Sequence, residues 1–246
     1  MNSQDVERAA TARTRRAFLT LGAGAVAGYG GWRWLRSRPP DGGVASPFRN
    51  VLRANEDVAG TYFSGRHLSP KFTLMDVDPQ ARVNGNVGIE EEVDPRNWMV
   101  HVNLEGANPA QVSIDQIRAL PRVEQITQLN CIEGWTMVVQ WAGARFADFT
   151  ERFAPQFNGA KYVGMETPDQ RYYVGLDAAS ALHPQTLLCY EMNGAPLASA
   201  HGAPLRLVIP VKYGVKNIKR IGMITYTNER PGDYWANEGY DWYAGL

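Results

Sequence analysis

Asn130-Cys131-Ile132-Glu133-Gly134-Trp135-Thr136 is the stretch around which the rest of the chain is organised. Just before it, Val123, Gln125, Thr127 and Leu129 fall on one side of an alternating run, which predicts a strand ending at Cys131. A cysteine at a strand end, beside Glu133 and Trp135, can be a nucleophile, a metal ligand, half of a disulfide or an inert core residue. A nucleophile needs a base within reach, and His67, His101, His183 and His201 carry no protease-like local signature. No CxxC or HxxxH spacing supports zinc. The second cysteine, Cys189, reads as a core residue; pairing it with Cys131 would exclude any other use of that thiol.

Outward from this stretch the pattern is of short strands with a few helices. Strands are predicted over 98–104, 162–166, 172–175, 187–192, 205–209 and 221–227. The fourth of these, 187–192, runs into Asn193-Gly194, a hairpin signal. Ser113 and Gln116 have capping-box spacing for a short helix ended by Pro121, residues 146–153 read as a helix before Pro155, and 177–182 as a helical turn. Residues 36–46 read as a linker. Pro, Asp and Gly recur through 47–95, which predicts an extended arm wrapping a core. The expectation is a β-rich α+β fold in three parts: 1–40 a leader and linker, 41–95 the arm, 96–246 the core domain.

The chain has 246 residues, 44% hydrophobic, enough for one sizeable core. Its 25 basic and 25 acidic residues balance, but seven arginines and only two acids lie in residues 1–40. The body keeps 18 basic and 23 acidic residues, a net −5, which argues against nucleic acid as a partner. Thr14-Arg15-Arg16-Ala17-Phe18-Leu19 precedes a Gly/Ala-rich apolar run from Leu21 to Tyr29, shorter than a spanning helix of about 20 residues. This is the pattern of a twin-arginine export signal and predicts a periplasmic protein, tethered to the membrane if the leader stays on. That route resembles one used for proteins folded around a cofactor before export.

The run from Cys131-Ile132-Glu133-Gly134-Trp135 to Trp141-Ala142-Gly143 resembles the cofactor-anchoring segment of the sulfite oxidase family, nearest its bacterial methionine-sulfoxide-reductase branch. Further blocks follow in the family's order: Lys161-Tyr162-Val163-Gly164-Met165-Glu166-Thr167, Leu182-His183-Pro184-Gln185-Thr186-Leu187, Gly202-Ala203-Pro204-Leu205-Arg206-Leu207, Pro210-Val211-Lys212-Tyr213-Gly214, Asn217-Ile218-Lys219 and Glu229-Arg230-Pro231. The resemblance covers roughly residues 84–235. It implies a molybdopterin-binding fold, a molybdenum–molybdopterin cofactor, and Cys131 as the one protein thiolate on the metal.

Carried over position by position, the resemblance implies that Asn217, Ile218 and Lys219 line the pterin phosphate. Arg206 and Thr167 would touch the pterin, and Lys212 would join Lys216, Lys219 and Arg206 in a basic cradle. His201 stands where the bacterial branch has Asn. Asn84, Val87 and Gly88 sit where the family's arm meets the pterin, although the family's Tyr-Glu pair is replaced there by Val87-Gly88. Glu133 is expected on the metal's open side, suited to proton delivery, and Trp135 and Trp141 in the core. The rim is expected from loops around 84–96, 168–172 and 228–240.

The chain ends without room for the immunoglobulin-like dimerisation domain of animal and plant sulfite oxidases, or for a haem domain. The resemblance therefore implies a monomeric catalytic subunit with electrons from a separate membrane haem cytochrome. The leading expectation is oxygen-atom transfer with a small oxygen-bearing substrate, by reduction of a sulfoxide or another S- or N-oxide. Sulfite oxidation, a non-catalytic binding module on the same fold, and a cysteine hydrolase are the alternatives.

Overall fold

The computed structural model describes residues 3–104, 108–155 and 159–246, with side chains from residue 11 onward. The chain divides into two compact units, Met1–Val51 and Leu52–Leu246. In the first, α1 (Ser3–Arg36) is a single exposed helix carrying Arg15 and Arg16. No helix among the described residues is long and apolar enough to cross a membrane. Two short strands, β1 (Pro40–Asp41) and β2 (Val44–Ala45), pair across Gly42 and Gly43, both at positive φ.

Helix α2 (Ser46–Tyr62) occupies sequence expected to be extended. Leu52, Glu56, Ala59 and the following Phe63 fall at i, i+4, i+7 and i+11, a proper helical face, but its centre is a carboxylate. Glu56 is buried because it accepts hydrogen bonds from the Arg230 guanidinium at 2.6 Å and the Trp242 backbone N–H at 3.2 Å. A charged residue satisfied by tertiary partners hid the apolar stripe from a sequence reading.

The remaining elements follow in order: β3 (Met99–Leu104), β4 (Ala110–Ser113), α3 (Ile114–Arg118), β5 (Arg122–Asn130), β6 (Thr136–Arg145) and α4 (Phe146–Phe153). Then come β7 (Tyr162–Glu166), β8 (Tyr173–Asp177), α5 (Ala178–Ala181), β9 (Leu187–Met192), β10 (Ala195–Pro196), β11 (Arg206–Val208), β12 (Met223–Thr227) and α6 (Tyr234–Asn237). The Ser113 capping box forms as expected, with Gln116 reaching back to the Ser113 N–H at 2.8 Å.

One sheet has the order β10-β9-β6-β5, with β11 also on β9; the other has the order β4-β3-β12-β7-β8. Among the described residues only the β3–β12 pairing is parallel. One apolar cluster joins Val100, Val163, Met165 and Ile224 of the second sheet to Leu188, Tyr190 and Leu207 of the first. A second cluster, with Val139, Trp141, Leu187 and Cys189, covers the other face of the first sheet.

Strand β6, absent from the sequence-derived strands, is central to its sheet. Its register shifts between Ala142 and Gly143, where a Cβ on Gly143 would stand 2.1 Å from the Leu188 carbonyl oxygen. That bulge lets β9 approach, while Trp135, just before β6, and Met137 on it line the cavity described next.

Candidate active site

A cavity of about 260 Å³ lies in the second unit. Its floor is the turn after β5. The Cys131 N–H donates to the Trp135 carbonyl at 2.9 Å and the Gly134 N–H to the Cys131 carbonyl at 3.0 Å, with Gly134 at φ 86. That five-residue loop turns the Cys131 side chain off the strand and into the cavity. Gly214 passes beneath, where a Cβ would lie 3.1 Å from the Leu129 side chain and 3.3 Å from the Asn130 carbonyl.

Cys131 and Cys189 are both free thiols. They do different things. Cys189 is fully buried in the core, its thiol pushed up to about 12 by burial, as the sequence reading expected of a core residue. Cys131 lines the cavity and is also raised, by burial first; the backbone N–H of Glu133 opposes that, and so does the Arg82 guanidinium. Asn84 Nδ2 donates toward its sulfur at 3.7 Å. Desolvation with nearby donors is the setting in which a thiol is held protonated until a cation takes the proton's place.

On one side of the cavity the lining is cationic. Arg206 is 3% exposed, donates to the carbonyls of His201 at 3.0 Å and Asn217 at 3.3 Å, and lies 4.8 Å over the Trp141 ring. Burial lowers it to about 10. Lys219 donates to three carbonyls, and burial, then Arg206, lowers it to about 8. Burial first, then the charges of Arg206 and Lys219, lower the His201 pKa, and its Nδ1 is buried without a hydrogen-bond partner.

On the other side the lining is aromatic. Tyr172, Tyr234, Trp235 and Tyr240 form a chain of ring contacts at 5.2–5.5 Å. Trp135 completes the wall, its indole N–H donating to Glu133 Oε2 at 2.8 Å and its ring covered by Arg82 at 4.7 Å. Trp141 is core, as expected; Trp135 packs half-buried against the same cluster and also lines the cavity, because the loop that presents Cys131 carries it to the cavity edge.

Asn84, Val87, Cys131, Glu133, His201, Arg206, Asn217 and Lys219 therefore meet around one cavity. Five expected contacts do not reach it. Lys212 is the clearest correction. Its ammonium lies 2.8 Å over the Tyr243 ring and 3.5 Å from Asp177, buried on a different face, because the Gly214–Lys216 3₁₀ turn sends successive cations in different directions. Lys216, of the same expected cradle, pairs with Asp233 at 2.5 Å.

Thr167 and Gly88 pack on each other behind the wall. A Cβ on Gly88 would stand 2.5 Å from Thr167, whose hydroxyl donates to Asp169 at 2.6 Å and accepts from the Tyr172 N–H at 3.1 Å. Ile218 is wholly buried, and its N–H and carbonyl bond Lys216 and Leu207. Sequence reasoning missed Arg82 and the individual rings of the aromatic wall. The expected rim loops 168–172 and 228–240 do contain Tyr172, Tyr234 and Trp235, and the concentration of aromatic residues near the C-terminus was the available signal.

The donor set can be tested against the cofactor implied by the resemblance. A soft thiol at the floor suits a thiophilic metal. Two desolvated cations and an unpartnered, buried imidazole nitrogen on the adjoining wall suit an anionic, hydrogen-bonding group. The residues present fit.

Comparison with known proteins gives the same direction. The family described as oxidoreductase molybdopterin binding domain matches residues 86–235. A protein-methionine-sulfoxide reductase subunit, YedZ1, of Azospira oryzae is 34% identical over 207 residues, 83% of this chain and 78% of that protein. The protein-methionine-sulfoxide reductase catalytic subunit MsrP of Campylobacter jejuni is 30% identical, over 95% of this chain and 81% of its own. MsrP of Xanthomonas campestris is 39% identical over 56% of this chain and 47% of that protein. Among solved structures, the sulfane dehydrogenase SoxCD of Paracoccus pantotrophus shares the fold. Its TM-score is 0.50 at 15% identity, covering 57% of this chain and 40% of that one.

Proposed function

The chain belongs to the family of oxidoreductases with a molybdopterin-binding domain, and from that premise we propose that it reduces a sulfoxide, in the manner its relatives' names describe, outside the cytoplasm. The observation that carries this reading is the single free thiol of Cys131 at the floor of a cavity walled by Arg206, Lys219 and His201 on one side and by aromatic rings on the other.

When bound, the molybdenum–molybdopterin group supplies two-electron oxygen-atom transfer. Cys131 would hold the metal through its sulfur, which Asn84 Nδ2 approaches at 3.7 Å. The unpartnered Nδ1 of His201 would be available to a polar atom of the pterin, and Arg206 and Lys219 would balance its negative charge. Glu133, fixed by the Trp135 indole, can take or give a proton at its free carboxylate oxygen on the substrate side. The aromatic wall excludes water and offers ring edges to a thioether-like group.

The same lining favours a neutral oxide over sulfite. A doubly charged oxyanion calls for several free cations near the sulfur. Arg171 pairs with Glu90, and Arg220 bonds Ala203, Ser199 and Glu91 away from the cavity. Arg82 is stacked on Trp135.

The twin-arginine pattern at Arg15-Arg16 supports export to the periplasm, and a separate haem-bearing membrane protein is the electron donor of choice for a monomeric subunit of this kind. The test is elemental analysis and pterin extraction on the natively purified protein, followed by assay of methionine sulfoxide with a reduced viologen as electron donor and of sulfite with ferricyanide as electron acceptor. Near one molybdenum and one pterin per chain, with turnover of methionine sulfoxide and none of sulfite, is the expected result. A metal-free, pterin-free folded protein from a host competent in cofactor synthesis would overturn it.

A further inference from the structure

Lys219 and Arg220 are neighbours in sequence and reach the same two segments of the second unit. The Lys219 ammonium donates to the carbonyls of Asn84 at 2.6 Å, Gly85 at 2.9 Å and Ala200 at 2.9 Å. The Arg220 guanidinium donates to the carbonyl of Ala203 at 3.1 Å, to Ser199 Oγ at 2.8 Å and to the carbonyl of Glu91. One cation thus fastens the start of residues 84–91 to the 199–203 loop, and the other fastens the end. Both segments are walls of the cavity, through Asn84 and Val87 on one and His201 on the other.

Residues 84–91 contain no strand or helix, so little backbone pairing holds them. Midway, Gly88 sits against Thr167. Glu90 pairs with Arg171 on the surface and Asn84 reaches the Cys131 sulfur; the fastening of this segment to the 199–203 loop is the work of the two cations.

Arg220 itself is held unusually. It is 1% exposed, and its φ of 53 lies in the left-handed region, which glycine would adopt at lower cost. Its acceptors are two neutral carbonyls and a hydroxyl, not a carboxylate in direct contact. A buried guanidinium kept in a disfavoured backbone conformation is explained by its three-way reach, which a planar fork of donors can make.

We propose that Lys219 and Arg220 form a clasp that holds residues 84–91 as a strap over the cofactor cavity, with Arg220 a positioning residue whose release admits or frees the pterin. This rests on the reading of the cavity as a pterin site. A large, tightly held cofactor cannot enter past a closed wall. The strap is a wall built without strand or helix, and Arg220 fastens its far end without lining the cavity.

The test uses the full chain, prepared with its cofactor and from a host unable to make the pterin. Backbone amide exchange is followed in both preparations, and loss of pterin from the loaded one is followed by the fluorescence of the released pterin. In Arg220→Met, exchange over 84–91 and 199–203 should quicken at least tenfold in both preparations, and pterin should leave at least tenfold faster, with strands Met99–Leu104 and Tyr162–Glu166 protected as before. Arg220→Lys should restore part of that protection. Ser199→Ala, an exposed change that removes a single acceptor, should move the strap in the same direction by less, and decides the matter if Arg220→Met does not fold. Wild-type exchange in the strap in these variants would overturn the clasp, and so would equal loss of protection across the strands. Wild-type protein without pterin would overturn the site reading, while strap exchange would still decide the clasp.

Discussion

The side-chain amide of Asn84 stands 3.7 Å from the sulfur of Cys131, 47 residues apart in sequence and brought together by the strap of residues 84–91. An N–H donor aimed at a sulfur favours the thiolate over the thiol. Replacing Asn84 by Ala removes that donor while leaving the backbone carbonyl that Lys219 holds. A supporting contact of this kind is worth about 10–100-fold in metal affinity or activity. Asn84→Ala is therefore expected to lower turnover about tenfold and to perturb the metal–sulfur spectrum. An unchanged spectrum together with unchanged turnover would remove Asn84 from the site.

Cys131→Ala should abolish activity, because the proposed metal loses its one protein ligand. The cavity's cations remain, so some pterin should stay bound while molybdenum content falls. Cys131→Ser, with a harder and less acidic ligand, should also be inactive. Full activity in either variant would sink the assignment of the thiol.

Lys216 and Asp233 form an ion pair with both side chains at most 2% exposed, and Asp233 also accepts the Ala236 N–H that caps α6. The pair anchors the element that carries Tyr234 and Trp235. Removing one partner leaves a buried charge alone, at a cost of about 3–5 kcal/mol. Asp233→Ala should lower the unfolding free energy from urea denaturation by that amount and raise KM for a sulfoxide more than it lowers kcat. The double change Lys216→Met with Asp233→Leu should recover most of the stability and little of the KM. A single variant as stable as wild type would show that the pair contributes nothing.

Arg15→Lys with Arg16→Lys tests the leader. Both arginines lie on the exposed helix α1, outside the unit that holds the cavity. Export should stop while cofactor content and activity in the cytoplasmic fraction persist. Undiminished periplasmic accumulation would refute the twin-arginine reading.

What the sequence disclosed was set by how local each signal is. Helix α4 and the Asn193-Gly194 hairpin depend on neighbours a few residues away, and both form where expected. Strand β6 was hidden because Gly143 makes sense only against the Leu188 backbone, and α2 was hidden because Glu56 is neutralised by Arg230 across the fold. At the site, Cys131, Arg206 and Lys219 were legible from the ordered blocks that contain them. The direction of Lys212 was not, since a 3₁₀ turn two residues on sets which way each cation points. Nor was the partnership of Arg82 with Trp135, which joins two loops 53 residues apart by ring stacking alone.

Lys212, excluded from the cavity, gives a prediction with a sign. Burial lowers its ammonium to about 7, with Asp177 opposing and Lys216 assisting. In the unfolded chain it returns to about 10.4. Between these values the unfolded state binds one more proton than the folded state, so this group's contribution to stability rises as pH rises from about 7 toward 10. Below pH 7 both states are protonated and the burial penalty is constant. Lys212→Met has no proton to lose. From pH 6 to pH 9 the stability of wild type relative to Lys212→Met should therefore shift in favour of wild type by on the order of 2 kcal/mol, measured as the difference between urea midpoints. Parallel pH dependence of the two proteins would mean that the ammonium over the Tyr243 ring keeps its proton throughout, held by the ring and Asp177 more firmly than burial disfavours it.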